Sequence, residues 1–173
     1  MRNSSLILVV GLTGAGKTTY CDKLHAEKVG HAFSIDRWMK SLYWQDMPHE
    51  PKMEWFQKNQ KWYIDRIQRC ERMISKEVVM LLKLGVSCIL DLGFTSSAHR
   101  KKYIDLGLDN NSNVELHFLD IKSEQRWSRV LKRNQEKAET FSMHVDRQMF
   151  EYMETNFEAI TEAEKSYVNL IKK

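Results

Sequence analysis

LILVVGLTGAGKTT, residues 6–19, decides the fold. Five apolar residues, 6–10, run directly into a loop that holds Gly11, Gly14 and Gly16, and Lys17, Thr18 and Thr19 follow. The stretch fits G-x-x-x-x-G-K-[ST], the P-loop pattern. Its apolar run reads as a buried parallel strand. The glycines let the backbone turn tightly, so that successive N–H groups of Gly11, Leu12, Thr13, Gly14, Ala15 and Gly16 point at one anion. The helix that follows presents its positive end to the same phosphates. Lys17 can reach β- and γ-phosphates, Thr18 can ligate Mg²⁺, and Thr19 completes the nucleotide-binding set. The bland alternative is a glycine-rich turn that binds nothing. The strand before the loop and the helical pattern after it (Tyr20, Cys21, Leu24 and Val29) argue against that.

Bulk properties set the limits. A chain of 173 residues reads as one domain over residues 1–173, with enough length for a sizeable core. It is 42% apolar and 29% charged, with two prolines and seven glycines, which leaves little room for disordered linkers. The net charge of +4 suits an anionic ligand without pointing to nucleic acid. Cys21, Cys70 and Cys88 form no C-x-x-C pair, so reduced thiols in a cytoplasmic setting are expected, with no zinc site. The N-terminal apolar run enters the P-loop, so it reads as a strand and not as a signal peptide, and no stretch approaches transmembrane length.

Further strands are expected at residues 31–35, 86–90 and 114–119, and residues 165–171 read as a fifth strand or a short helix, with the alternating order favouring the strand. Helical patterns fall at 37–44, 53–84, 96–106, 123–137 and 142–158. In the longest, Tyr63, Ile67, Cys70, Ile74, Val78 and Leu81 recur at spacings of three and four, and Gly85 supplies a stop. Strands alternating with helices predict an α/β fold of three layers around a parallel sheet of about five strands. Ligands of such sheets bind at the carboxyl ends of the strands. The P-loop, Asp36, Asp91 and Asp120 all fall there.

Asp36 can orient an attacking hydroxyl and take its proton, and it can equally cap the helix that follows. Asp91 ends the most hydrophobic strand after the first, which is the Walker-B position for holding Mg²⁺, with a turn role as the alternative. Asp120 reads as a cap. Arg126, Arg129 and Arg133, spaced three and four apart, share one helix face. They read either as clamps on a transferring phosphoryl group or as a solvated basic face. Arg100 is a candidate phosphate or acceptor contact. Of the rings that follow Asp36, most read as packing, and Trp38 and Trp44 are the candidates for substrate contact.

GLTGAGKTT, SIDRWMKSLYWQDMP, CILDLGFTSSAHR and LHFLDIKSEQRWSRVLKRN fall in an order that resembles the bacterial predicted kinases of the P-loop kinase class. Their relatives include polynucleotide kinase, zeta-type toxins and chloramphenicol phosphotransferase. The resemblance spans about residues 5 to 157. It implies a nucleoside-kinase-like fold with a helical lid at about 122–141. It also implies Asp36 as catalytic base, and Arg129, Arg133 and Asn134 in the lid's R-x-x-x-R-N pattern. Asp91, Gly93 and Phe94 match the D-x-G-F element, with Arg100 at the downstream arginine. The tail after Phe157 departs from the pattern, lacking a proline usual there.

The resulting expectation is a phosphotransferase that uses ATP and Mg²⁺ on a hydroxyl of a small molecule or nucleotide. Lys17, Asp36, Arg129 and Arg133 carry the chemistry, Arg129 also contacts the nucleotide, and Thr18 and Asp91 hold the metal. A 5′-hydroxyl polynucleotide acceptor is less favoured, because the charge is mild and no long basic stripe is present. A regulatory ATPase and a silent nucleotide-binding module are the competing classes. The chain has no N-K-x-D base-reading element of GTPases and no L-S-G-G-Q signature of transporter ATPases.

Overall fold

The structure, a computed structural model, describes residues 4–49, 51–136 and 144–171. Five strands form its sheet: β1 (Ser5–Val10), β2 (His31–Ser34), β3 (Cys88–Asp91), β4 (Asn113–Leu119) and β5 (Val168–Ile171). They lie in the order β2-β3-β1-β4-β5, and every pairing is parallel. Parallel neighbours need crossovers, which the helices supply. These are α1 (Lys17–Ala26), α2 (Ile35–Tyr43), α3 (Met53–Lys58), α4 (Gln60–Lys83), α5 (Ser97–Asp109), α6 (Ser123–Glu136) and α7 (Arg147–Thr155).

β1 is the central strand, and its alternation builds both layers. Leu6, Leu8 and Val10 belong to one core with Ile35 and Met39 of α2, Ile74, Val78 and Leu82 of α4, and Tyr103 of α5. Ile7 and Val9 face the other way, onto Cys21 and Leu24 of α1. A residue buried on both faces of a sheet has no polar side to keep, so β1 reads as a continuous apolar run. The expected three-layer fold is what forms. Cys21, Cys70 and Cys88 are free and buried. No helix among the described residues is long and apolar enough to cross a membrane.

Several boundaries differ from expectation. The helix expected over 53–84 is broken at Asn59, whose backbone leaves the helical region (φ −111°, ψ 22°). The Asn59 side-chain amide donates to the Trp55 carbonyl at 2.9 Å, competing with the backbone for a helix-end acceptor. β2 stops at Ser34, whose hydroxyl accepts from the Arg37 amide at 3.4 Å and caps α2. Asp36 is therefore in the first turn of α2, neither a strand end nor the cap. The last strand is shorter than expected, because residues Glu162–Tyr167 wind into a 3₁₀ turn behind a Thr161–Glu164 capping box.

The stop after α4 is as expected. Gly85 takes φ +76°, and the Val86 amide donates back to the Leu81 carbonyl at 2.9 Å, which closes a Schellman motif. Of the lid expected at about 122–141, α6 carries most, and 137–141 lie outside the described residues. So do the first two residues of the helix expected at 142–158, which is shorter than expected: it forms only over Arg147–Thr155 as α7, capped at its start by Asp146. Val130 of α6 packs with Val145 and with Met149 and Phe150 of α7 in a separate small core. Asn134 fastens the two segments: its amide nitrogen donates to the Val145 carbonyl at 2.8 Å, and its amide oxygen accepts from the Val145 amide at 3.2 Å.

Candidate active site

The site grows from the end of β1. The chain turns through residues 11–16, with the Ala15 amide donating to the Leu12 carbonyl at 3.1 Å, and enters α1 at Lys17. Gly16 precedes the helix with φ +90°, and Gly14 takes φ +81°. A Cβ on Gly14 would lie 2.5 Å from the Arg126 carbonyl oxygen, so the loop rests directly on the backbone of α6. The first turn of α1 contains no acidic residue, and its amides and dipole face the cleft.

α6 holds the loop from the other side. The buried Arg126 guanidinium donates to the Thr13 carbonyl at 3.1 Å, to the Ile121 carbonyl at 2.9 Å and to Glu154. Its role is to brace the loop. One and two turns on, Arg129 and Arg133 line the cleft, and Arg129 donates to the Ala15 carbonyl at 3.3 Å. The Lys17 ammonium lies folded over the loop and donates to the Gly11 carbonyl at 2.9 Å.

Sheet register brings in the acids. β1 pairs β3, which sets Asp91 beside α1, and the Thr18 hydroxyl donates to the Asp91 carboxylate at 2.8 Å. Ser34 is opposite Asp91 in the β2–β3 ladder, so Asp36, two residues later, reaches the same cleft. The cleft encloses 380 Å³ between the loop, α6 and α4.

Asp36 lines the cleft and is exposed, with protein crowding about its carboxyl. That enclosure and the charge of Asp91 push its carboxyl above the usual range, while Lys17 and Arg133 pull it back. The same enclosure lowers the Arg133 pKa, and Asp36 opposes that. Arg133 Nε is buried without a hydrogen-bond partner among the described residues. The Thr18 hydroxyl and the Asp91 carboxylate are hard oxygen donors within 2.8 Å of each other, which suits Mg²⁺. No group of three or more His, Cys, Asp or Glu side chains could hold a metal among the described residues. A magnesium ion here would complete its shell with phosphate oxygens and water.

Three expected contacts are not brought to the cleft. Arg100 is fully buried elsewhere, and its guanidinium is saturated. Nε donates to Glu164 at 2.6 Å, and Nη1 and Nη2 reach the carbonyls of Phe94, Glu158 and Ala159. It ties α5 to the C-terminal segment and has no donor left for a phosphate. Trp38 packs against the main core, and neither it nor Trp44 lines the cleft. The ring that does is Tyr63 of α4, with Val145 and Met153 opposite. Tyr63 lies on the periodic stripe of α4, but the stripe alone marks it as core. The Thr13 hydroxyl donates to the Met153 sulfur at 3.0 Å, which joins α7 to the phosphate loop.

Known proteins bear on this arrangement. A family profile described as an AAA domain, AAA_33, matches residues 6–160. No curated protein sequence matches significantly. Among solved structures, a candidate kinase from Chloroflexus aurantiacus is similar with a TM-score of 0.72 at 16% identity, over 98% of this chain and 88% of that one. Kti12 of Chaetomium thermophilum, solved in complex with ADP-AlF3, follows with 0.66 at 19% identity, over 96% and 88%. A chain of the Pnkp1/Rnl/Hen1 RNA repair complex gives 0.65 at 16% identity; the match takes in 90% of this chain and only 44% of that longer one. Identities this low speak for the fold alone. The profile, matched over most of the sequence, speaks for descent: the chain belongs to the AAA_33 family of P-loop kinase-like domains.

Proposed function

We propose that the protein transfers the γ-phosphate of ATP to a hydroxyl group of a small-molecule acceptor. One observation carries this reading. A phosphate-binding loop and a carboxylate from the first turn of α2, Asp36, open onto one cleft with Lys17, Arg129 and Arg133. A nucleotide-binding module needs the loop. It does not need a second carboxylate with a lysine and an arginine beside it.

The loop amides from Gly11 to Gly16, the first turn of α1 with Thr19, and Lys17 bind the β- and γ-phosphates. Lys17 exchanges its carbonyl partners for phosphate oxygens. Thr18 and Asp91 hold Mg²⁺, which neutralises charge on the phosphate oxygens when bound. Asp36 accepts a hydrogen bond from the acceptor hydroxyl, orients its oxygen toward the γ-phosphorus and takes the proton as the new bond forms. A positioned base of this kind contributes about 10²–10⁴-fold. Arg129 and Arg133 stabilise the negative charge spread over the migrating group. α6 acts as the lid element, and Val130, Val145 and Met153 dry the cleft, which favours the acceptor over water.

The test is transfer of label from γ-labelled ATP to pooled nucleosides, sugars, aryl and alkyl alcohols and 5′-hydroxyl oligonucleotides. Wild type, Lys17→Ala and Asp36→Asn run side by side. Label on one pool, lost in both variants, supports a kinase. Phosphate release that ignores every pool and survives in Asp36→Asn moves the protein to the regulatory ATPases. Label confined to the oligonucleotides, with a steep salt dependence, makes it a polynucleotide kinase.

A further inference from the structure

A second cavity of 400 Å³ adjoins the cleft, bounded by α3 and α4 on one side and α7 on the other. Tyr63 and Met153 line both spaces, so the two adjoin at these side chains. Met53, Phe56, Ile64 and Met149 form apolar walls, and the amides of Gln57 and Gln60 with the phenol of Tyr152 supply the polar groups away from Tyr63. None of the side chains that line it, among the described residues, carries a charge. The cleft next door has five charged side chains: Lys17, Asp36, Asp91, Arg129 and Arg133.

We propose that this second cavity seats the phosphate acceptor, and that the acceptor is an uncharged, largely apolar alcohol without phosphate or carboxylate groups. The proposal rests on the kinase reading of the cleft. Its chemistry follows from the lining. An anion drawn into an apolar pocket without a cation loses its hydration and gains nothing in return. Two glutamines offer donors and acceptors to hydroxyl or amide groups and no charge to a phosphate. A space of this size lies within the range of pockets that enclose small organic ligands. Met53, Met149 and Met153 are unbranched and polarisable, so they fit flat rings and alkyl chains of varied outline.

The shared boundary at Tyr63 and Met153 gives the proposed reaction its geometry. The body of the acceptor lies against Phe56 and the methionines, and its hydroxyl extends past Tyr63 into the cleft, toward Asp36. The Tyr63 phenol is kept protonated by burial and by the nearby Asp36 charge, so it is a hydrogen-bond donor at the junction. A bond forms between the acceptor oxygen and the γ-phosphorus. The bond from that phosphorus to the β,γ-bridging oxygen breaks, and its electron pair leaves with ADP. The acceptor proton passes to Asp36. The products are a neutral alcohol's phosphate monoester and ADP.

Two measurements on the full chain test this. The first compares label transfer to uncharged aryl and alkyl alcohols with transfer to nucleoside 5′-monophosphates, sugar acids and 5′-hydroxyl oligonucleotides. The second follows fluorescence of N-phenyl-1-naphthylamine, a neutral apolar probe, on titration with the same compounds. The expected result is label on uncharged alcohols only, and displacement of the probe by those same alcohols. Ile64 is 42% exposed, so Ile64→Lys adds a charge at the cavity without opening the core. It should weaken probe binding and raise the alcohol KM about tenfold or more, with an unchanged circular dichroism spectrum. Label on anionic acceptors alone overturns the acceptor class and leaves the kinase reading standing. Label on no acceptor of either class, in a protein that binds ATP, overturns both. Gln60→Lys, also at an exposed position, serves if Ile64→Lys fails to fold.

Discussion

The hydroxyl of Thr18 donates to the carboxylate of Asp91 across 2.8 Å, joining the first turn of α1 to the end of β3. Seventy-three positions separate the two residues in the chain. Their meeting follows from one pairing, β1 beside β3, since the loop leaves the end of β1 and Asp91 ends its neighbour. Two oxygen donors are thereby set side by side at the floor of a phosphate-binding cleft.

If this pair holds the metal, the two residues act as a unit. Thr18→Ala and Asp91→Asn should each lower phosphoryl transfer about 10²-fold or more, and the double variant should lose much less than the product of the two. Chelation of Mg²⁺ should abolish transfer in the wild type. Transfer rates in titrated Mg²⁺ check this; multiplicative losses would separate the two roles.

Gly14 is the position where the loop tolerates nothing larger. A methyl group there meets the Arg126 carbonyl at 2.5 Å, on a backbone with φ +81°. Gly14→Ala should destabilise the fold by about 1–3 kcal/mol, at ~2–4 °C in melting temperature per kcal/mol, and should weaken ATP binding as well. Thermal melts and nucleotide titration read the two effects separately.

Asp36 predicts a pH dependence with a definite sign. Its carboxyl is pushed up by enclosure and by Asp91, so the acid limb of kcat/KM should lie above the ordinary aspartate range near 4. Arg133→Gln removes a cation that pulls the value down, and should move the Asp36 midpoint in a carbon NMR titration higher. The same shift affects stability. A carboxyl that holds its proton more tightly when folded makes folding less favourable as pH rises from the unfolded value through the folded one. Asp36→Asn should therefore be more stable than wild type at neutral pH and no more stable at low pH, as denaturant titrations at the two pH values would reveal.

Arg100 and Glu164 should behave as structure and not as chemistry. Truncating one member of a buried ion pair costs about 3–5 kcal/mol, because the other charge is left without a partner. Arg100→Met should lower the urea midpoint accordingly, and the protein that remains folded should bind ATP as wild type does. Burial works against ionisation of Glu164, but hydrogen bonds from Arg100 and Thr161 outweigh it and keep its pKa low. The pair's stabilisation is thus present above the unfolded glutamate pKa and lost as pH falls.

What could be read from the sequence was local or periodic. The P-loop, the strand before it and Asp91 at a strand end are written in runs of neighbouring residues, and β1 alternates its sides as a buried strand must. Asp36 was legible as a position and not as a cap, because the choice between Ser34 and Asp36 turns on one hydrogen bond. Arg100 misleads for a physical reason. An arginine nine residues after Asp91 looks free until Glu164, sixty-four positions later, folds onto it. Tyr63 and Met153 come from separate helices and meet only through tertiary packing. No spacing in the chain encodes that meeting, so the second cavity could not be seen in advance.

The most direct test of the central claim is the division of γ-phosphate between an alcohol and water. Wild type and Asp36→Asn would be followed with ATP and Mg²⁺, measuring labelled acceptor and free phosphate in the same samples. A kinase with Asp36 as its base gives acceptor-dependent turnover in the wild type, and a loss of about 10²–10⁴-fold in Asp36→Asn with ATP affinity retained. Equal transfer by the two proteins, or phosphate released to water at one rate with and without every acceptor, would contradict it.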